Sequence, residues 1–325
     1  MHGYDFEFTK TTPEQFFIIR RQLIDRFGLK ESDKQYFLDV ANQLGLKMPE
    51  CIVVDRESID EFKKIDVAGF HNRFLQDTLD SYGTYIPELD LVILLDSEKY
   101  SSPEEAVFRD AWIIYEVAHS NSGFTDIINF KEHGYLTPRV GFQVFGGVID
   151  RRLQSGIFLE EAWADFQRGR FMNIQFEKGN PVRKLLEELL DYGSLSKNEV
   201  LPFPFKNRAL PIPLKYIVIE NGNLNVKGSS LAAFAIELLI GKFPHIKILM
   251  SKARYNVEDL KMFIRALNNI DPALYPFLQK LKYTFDDFGE GLAWVIDHKV
   301  GGIQNVLVGN TNQKLIETWS KLTLC

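Results

Sequence analysis

One stretch limits what this chain can become more than any other. From Pro103 to His119 it carries Val107, Trp112, Ile113, Ile114 and Val117, enough apolar surface to bury a helix on most of its sides. Ser102 and Glu105 have the spacing of a capping box, and Pro103 stands where a missing N–H costs nothing. The helix start is thereby specified, and Asn121, Ser122 and Gly123 end it. A helix this apolar belongs in a core. It nevertheless carries Tyr115, Glu116 and His119. Tyr115 and His119 are four apart and share a face, with Glu116 about 100° round the axis from Tyr115.

That layout is the His-Glu-x-x-His pattern of zinc peptidases with one residue changed, Tyr115 standing where the first His would be. Further along, Glu161, Ala162, Trp163, Ala164 and Asp165 resemble the Glu-x-x-Ser/Ala-Asp helix of gluzincins, the thermolysin-like peptidases. The resemblance covers residues 80 to 170 well and the helical remainder more loosely, with the run from Leu231 to Leu239 similar to the family's C-terminal packing helix. It implies that His119 and Glu161 are metal ligands, Glu116 the general base, and Asp165 the partner of the ligand that Tyr115 replaces. It also implies that the segment from Tyr82 to Leu95 is the edge hairpin before the active-site helix, with Tyr85, Ile86 and Leu91 on a substrate-binding edge strand.

The changed residue decides the chemistry to expect. A catalytic zinc takes three protein ligands and an open position. Tyr115 is a poor third, because a phenol has a pKa of ~10 and must lose its proton to ligate. Zinc binding is expected to be weak or absent, and without it the water that Glu116 would activate keeps a pKa near ~15.7. The Tyr115 hydroxyl is then expected to donate to Asp165 and tie the two helices together.

Three functions follow. The first is a metallopeptidase-like protein that has lost hydrolysis and binds a peptide or protein in the old cleft, by strand addition along Tyr85 to Leu95. The second is an active zinc peptidase with an atypical ligand set, Tyr115 or a residue from the C-terminal half completing it. The third is a helical scaffold in which Glu116, His119, Glu161 and Asp165 form a satisfied polar network.

Along the rest of the chain, Thr12 to Gln15 opens a helix reaching Arg26, with Phe16, Phe17, Ile19 and Leu23 inward. A second, from Ser32 to Leu44, turns Phe37, Leu38, Val40, Ala41 and Leu44 inward, before a strand over Cys51 to Val54 and a short helix over Arg56 to Lys64. Val67 to Phe74 is strand-like. Residues 125–137 read as irregular, Val140 to Val148 as extended, and the Glu161 helix is expected to stop near Gly169. His71 and His133 read as loop or strand-end residues, with no acid or imidazole at helical spacing beside His71. Pro202, Pro204, Pro211 and Pro213 mark residues 201–228 as a linker or draped loop. Five helices follow between Ser229 and Ile296, one capped by Thr284 with Asp287, and the tail ends in a short helix carrying Trp319.

The fold class expected is α+β: a zincin-like domain over 1–200 with a small mixed sheet, the 201–228 linker, and a helical C-terminal domain over 229–325. With 325 residues, 45% hydrophobic and 25% charged, the composition is that of a globular protein. A formal charge of -6 excludes a general nucleic-acid surface, which draws on clustered Lys and Arg. Cys51 and Cys325 make neither a disulfide framework nor a thiolate metal site. No run approaches the ~20 apolar residues of a membrane span, and the first residues lack a signal-peptide pattern, so a cytoplasmic protein is expected.

Overall fold

The computed structural model describes residues 13–55, 57–65, 83–86, 89–96, 103–121, 128–130, 134–136, 139–145, 154–178, 181–189, 200–220, 223–255 and 257–302. Thr12, His71, His133, Ser102, Cys325, the expected strand over 67–74 and the expected terminal helix lie outside the described residues.

The chain opens with α1 (Pro13–Phe27), α2 (Glu31–Leu44), β1 (Glu50–Asp55) and α3 (Ile59–Lys64), followed by β2 (Gly83–Ile86), β3 (Leu91–Asp96) and α4 (Pro103–Ser120). β3 is the central strand, parallel to β1 and antiparallel to β2. Side chains alternate across this sheet, as strand geometry requires. Ile52, Val54, Ile86, Leu91 and Ile93 meet Ile19, Leu23 and Phe27 of α1 and Phe62 of α3 in one cluster. Cys51, Tyr85, Val92 and Leu94 face the main core with Phe37 and Val40 of α2 and Ile114 and Val117 of α4.

Two sequence expectations change here. Phe17 is 64% exposed and Leu38 also faces water, because only the lines Ile19–Leu23–Phe27 and Phe37–Val40–Ala41–Leu44 reach the core. An apolar run such as Phe17 to Ile19 covers more of the helix circumference than the sheet can bury. Leu91 is not on an edge strand: β3 is paired on both sides, and Ile86 and Leu91 are wholly buried under α1. Of the three expected edge residues, Tyr85 and Ile86 lie on β2, the outer strand.

β4 (Ile128–Phe130) pairs antiparallel with β5 (Gly134–Leu136), so these residues, expected to be irregular, are extended. β6 (Arg139–Val140), β7 (Gln143–Phe145) and β8 (Gln154–Ser155) pair next and lead into α5 (Ile157–Glu177) and α6 (Pro181–Leu189). α5 does not stop at Gly169. That glycine sits inside the helix because the Tyr216 ring packs on it: a Cβ there would lie 2.7 Å from the ring.

The proline-rich stretch is not a linker. β9 (Val200–Phe205) and β10 (Arg208–Pro213) make an antiparallel hairpin in which Pro202 faces Pro211, a pairing compatible with a missing N–H because each strand of a two-stranded ribbon has a free edge. A 3-10 turn (Leu214–Tyr216) leads to a second hairpin, β11 (Ile217–Glu220) with β12 (Asn223–Val226). Leu201, Ile212, Leu214, Tyr216 and Val226 are buried in the main core.

α7 (Gly228–Lys242) then packs along α5, followed by α8 (His245–Ala253), α9 (Val257–Ile270), α10 (Leu274–Lys280) and α11 (Phe285–Val295), which runs on into a π-helical turn over Ile296–Val300. Thr284 caps α11 as its spacing predicts, accepting the Asp287 N–H at 3.0 Å. One apolar cluster extends from Phe37 to Ile296, so the core crosses the expected 201–228 boundary without a break. The architecture is mixed α+β, mostly helical, with small sheets. Among the described residues no helix is long and apolar enough to cross a membrane.

Candidate functional site

α4 and α5 pack against each other, and this contact brings the sequence-predicted residues together. α5 is an extreme case of a helix enclosed by protein: every residue from Ile157 to Gly169 is buried, including Glu160, Glu161, Asp165 and Arg168. Charged groups held in such a place require partners, since an unpaired buried charge costs several kcal/mol. The partners define the site.

Tyr115 of α4 donates its hydroxyl to Glu161 Oε2. His119, one turn further on, has its ring edge-on to that of Tyr115 with centroids 4.8 Å apart. Its two nitrogens meet two acids: Nδ1 donates to Glu160 Oε1 at 3.0 Å, and Nε2 faces Glu161 Oε2 at 4.0 Å. Glu116 lies toward the sheet and accepts the backbone N–H of Tyr85. The outer strand therefore supplies a main-chain donor to the acid that the sequence marks as a general base.

Two findings depart from the sequence reading. Asp165 does not receive the Tyr115 hydroxyl. It is paired with Arg168, three residues on along the same helix, and Arg168 also donates to Ser230 Oγ at 3.1 Å and lies over the Trp112 ring at 5.4 Å. A guanidinium one turn away on the same helix wins over a phenol on another. The second is Glu160, which sequence reasoning passed over for Glu161. Glu160 accepts from His119, from the Phe142 backbone N–H at 3.0 Å, and from Arg254 Nη2 at 2.6 Å. The one available signal was an acid flanked by Phe158, Leu159, Ala162 and Trp163; Arg254 gave none, lying some 90 residues downstream in a region read as a separate domain.

Burial and these contacts set the protonation states. Burial raises Glu116 to about 7, with Glu161 adding to it against the opposing His119 and the Tyr85 N–H. Glu161 is raised for the same first reason. Burial alone would lower His119, but its hydrogen bond to Glu160 and the charges of Glu161, Glu160 and Glu116 outweigh that and lift it to about 9. Glu160 is pulled down to about 2 against its burial, chiefly by the Arg254 charge and by His119. Tyr115 is held well above the ordinary phenol range by burial and by Glu161.

Among the described residues, the donor set at this site is one short of a catalytic zinc site. His119 Nε2 and Glu161 Oε2 face a common point, but zinc needs a third donor at ~2 Å. Tyr115 occupies that third place as a protonated phenol, and burial beside a carboxylate opposes its ionisation. Among the described residues no three His, Cys, Asp or Glu side chains stand where one ion could be held. Comparison of the chain with protein-family models, curated proteins and solved structures gave no match.

Proposed function

We propose that this chain is a metallopeptidase-like protein, with a gluzincin-type site that no longer hydrolyses, and that it acts by binding a peptide or a protein segment. The observation that carries this reading is the hydrogen bond from Tyr115 to Glu161, in which a proton on a phenol stands where a peptidase of this kind would use a cation. With only His119 and Glu161 as ligands, a zinc that would lower the pKa of a water beside Glu116 is expected to be held weakly, and a lone carboxylate does not cut peptides at a useful rate.

The binding half of the reading is supported by aromatic surface beside the acids. Tyr283 is 65% exposed, and its hydroxyl is raised above the usual phenol range first by the charge of Glu161, with Glu116 and Asp165 adding to it. Its ring packs edge-on to Phe288 at 5.6 Å, and the partly exposed Phe285 packs on Phe203 at 5.6 Å. Exposed aromatic side chains bordering buried polar groups match the make-up of protein-binding surfaces.

The test has two arms. The purified chain, with and without added zinc, is incubated with unfolded peptides and assayed for cleavage by mass spectrometry; none is expected, and cleavage abolished by a chelator would sink the reading. A displayed peptide library is then selected on the parent, with binding expected to fall at least tenfold in Tyr283→Ala/Phe285→Ala. Selection of no peptide would favour a second reading, a scaffold in which these groups serve stability alone, which the pairing of Tyr115, His119 and Glu160 also supports.

A further inference from the structure

We propose that Arg254 is the positioning residue of this site, fixing Glu160 and through it the ring plane of His119, so that Nε2 faces Glu161. The inference rests on the geometry around Glu160 and is independent of whether a peptide binds. Glu160 and Arg254 are each 1% exposed. Arg254 follows directly on α8, in the C-terminal helices, and its guanidinium lies over the Trp163 ring at 5.3 Å. From there it makes two kinds of contact. Nη2 donates to Glu160 Oε1 at 2.6 Å and to the Ala118 carbonyl at 2.8 Å, while Nε points to Glu160 Oε2 at 3.4 Å.

The Ala118 carbonyl belongs to the last turn of α4, where helix carbonyls lack intrahelical partners and a cation is favoured. A single side chain thus holds the end of α4 and the acid that α5 presents to it. Glu160 is filled by this arrangement: Oε1 takes Arg254 and His119, and Oε2 takes the Phe142 N–H with a longer contact to Arg254. With both oxygens engaged, the carboxylate has one orientation, and the imidazole bonded to it has one as well. A planar guanidinium can serve these acceptors together, whereas an ammonium is a point charge on a flexible stem.

The experiment uses full-length protein carrying ¹⁵N-labelled histidine, with Arg254→Met, Arg254→Lys and Glu160→Gln as variants. In the parent, the His119 Nδ1–H bonded to Glu160 is expected as a downfield ring proton that exchanges slowly with water. Glu160→Gln, by replacing the carboxylate acceptor, is expected to move that resonance and thereby assign it. Arg254→Met should speed its exchange at least tenfold, and Arg254→Lys should restore part of the protection. A merely structural role for Arg254 would lower global stability without moving this signal, so a folded Arg254→Met with parental shift and protection overturns the proposal. Should Arg254→Met fail to fold, Arg254→Lys decides: protection equal to the parent overturns it, and intermediate protection supports it.

Discussion

Tyr115 and Glu161 stand on neighbouring helices, 46 positions apart in the chain, and are joined by a hydrogen bond from the phenol to the carboxylate. In a zinc peptidase of this pattern the two positions would be joined through a metal ion. Here the joint is a proton, and the consequences can be measured.

Tyr115→Phe removes the donor and leaves a buried carboxylate short of one partner, at a cost of about 1–3 kcal/mol. Urea unfolding of the parent and the variant measures it. An unchanged midpoint would show that Glu161 does not depend on this bond.

Tyr115→His places an imidazole on the helical face that already carries His119, opposite Glu161. Zinc should stabilise this variant and leave the parent unaffected, with a gain of about 2.7 kcal/mol when free zinc is 100 times the dissociation constant. Asp165 is held by Arg168 through Oδ1, while its buried Oδ2 has no hydrogen-bond partner, so the affinity should rise further when Arg168→Met frees the whole carboxylate to orient the new ring. A thermal-shift series in zinc reads both. No zinc response in either variant would mean that the helices do not present the donors to one point.

Glu116 gives the chain a signature in pH. Its native pKa of about 7 exceeds its usual value of 4.5, so the folded state holds the proton more tightly than the unfolded one. The stability it confers is complete below about 4.5 and is lost as pH rises to about 7. Subtracting the pH profile of Glu116→Gln from that of the parent should show this fall. His119 acts in the same sense over a higher window, its contribution complete below 6.5 and lost as pH rises through about 9. Glu160 acts in the opposite sense, contributing above 4.5 and losing it as pH falls through about 2.

Arg168→Met leaves Asp165 charged and unpaired in a site with no exposure, and should destabilise by about 3–5 kcal/mol. The double variant Asp165→Asn/Arg168→Met should cost less than the sum of its two single changes, because the residues are in direct contact. Additive losses in a double-mutant cycle would contradict the pairing.

Much of this protein could be read along the chain, wherever the deciding physics is local. The helix carrying Tyr115, Glu116 and His119, the cap of α11 at Thr284, and the short apolar runs that make β1 and β3 strands all follow from helical spacing, from capping chemistry and from apolar runs bounded by polar residues. The convergence of His119 with Glu161 was legible as well, because both stand at motif positions on helices. What needed the tertiary structure was the choice among competing partners. Asp165 could bond Tyr115 across the helix interface or Arg168 along its own helix, and only packing sets those distances. Glu160 looked like a neighbour of the important acid until Arg254 and Phe142 closed on it. Gly169 and the prolines between 202 and 213 read as breaks for the same reason: local propensity predicts an end to regular structure. The Tyr216 ring on Gly169 and the Pro202–Pro211 pairing instead supply contacts between residues far apart in the chain, and the free energy of burying them overrides the local preference.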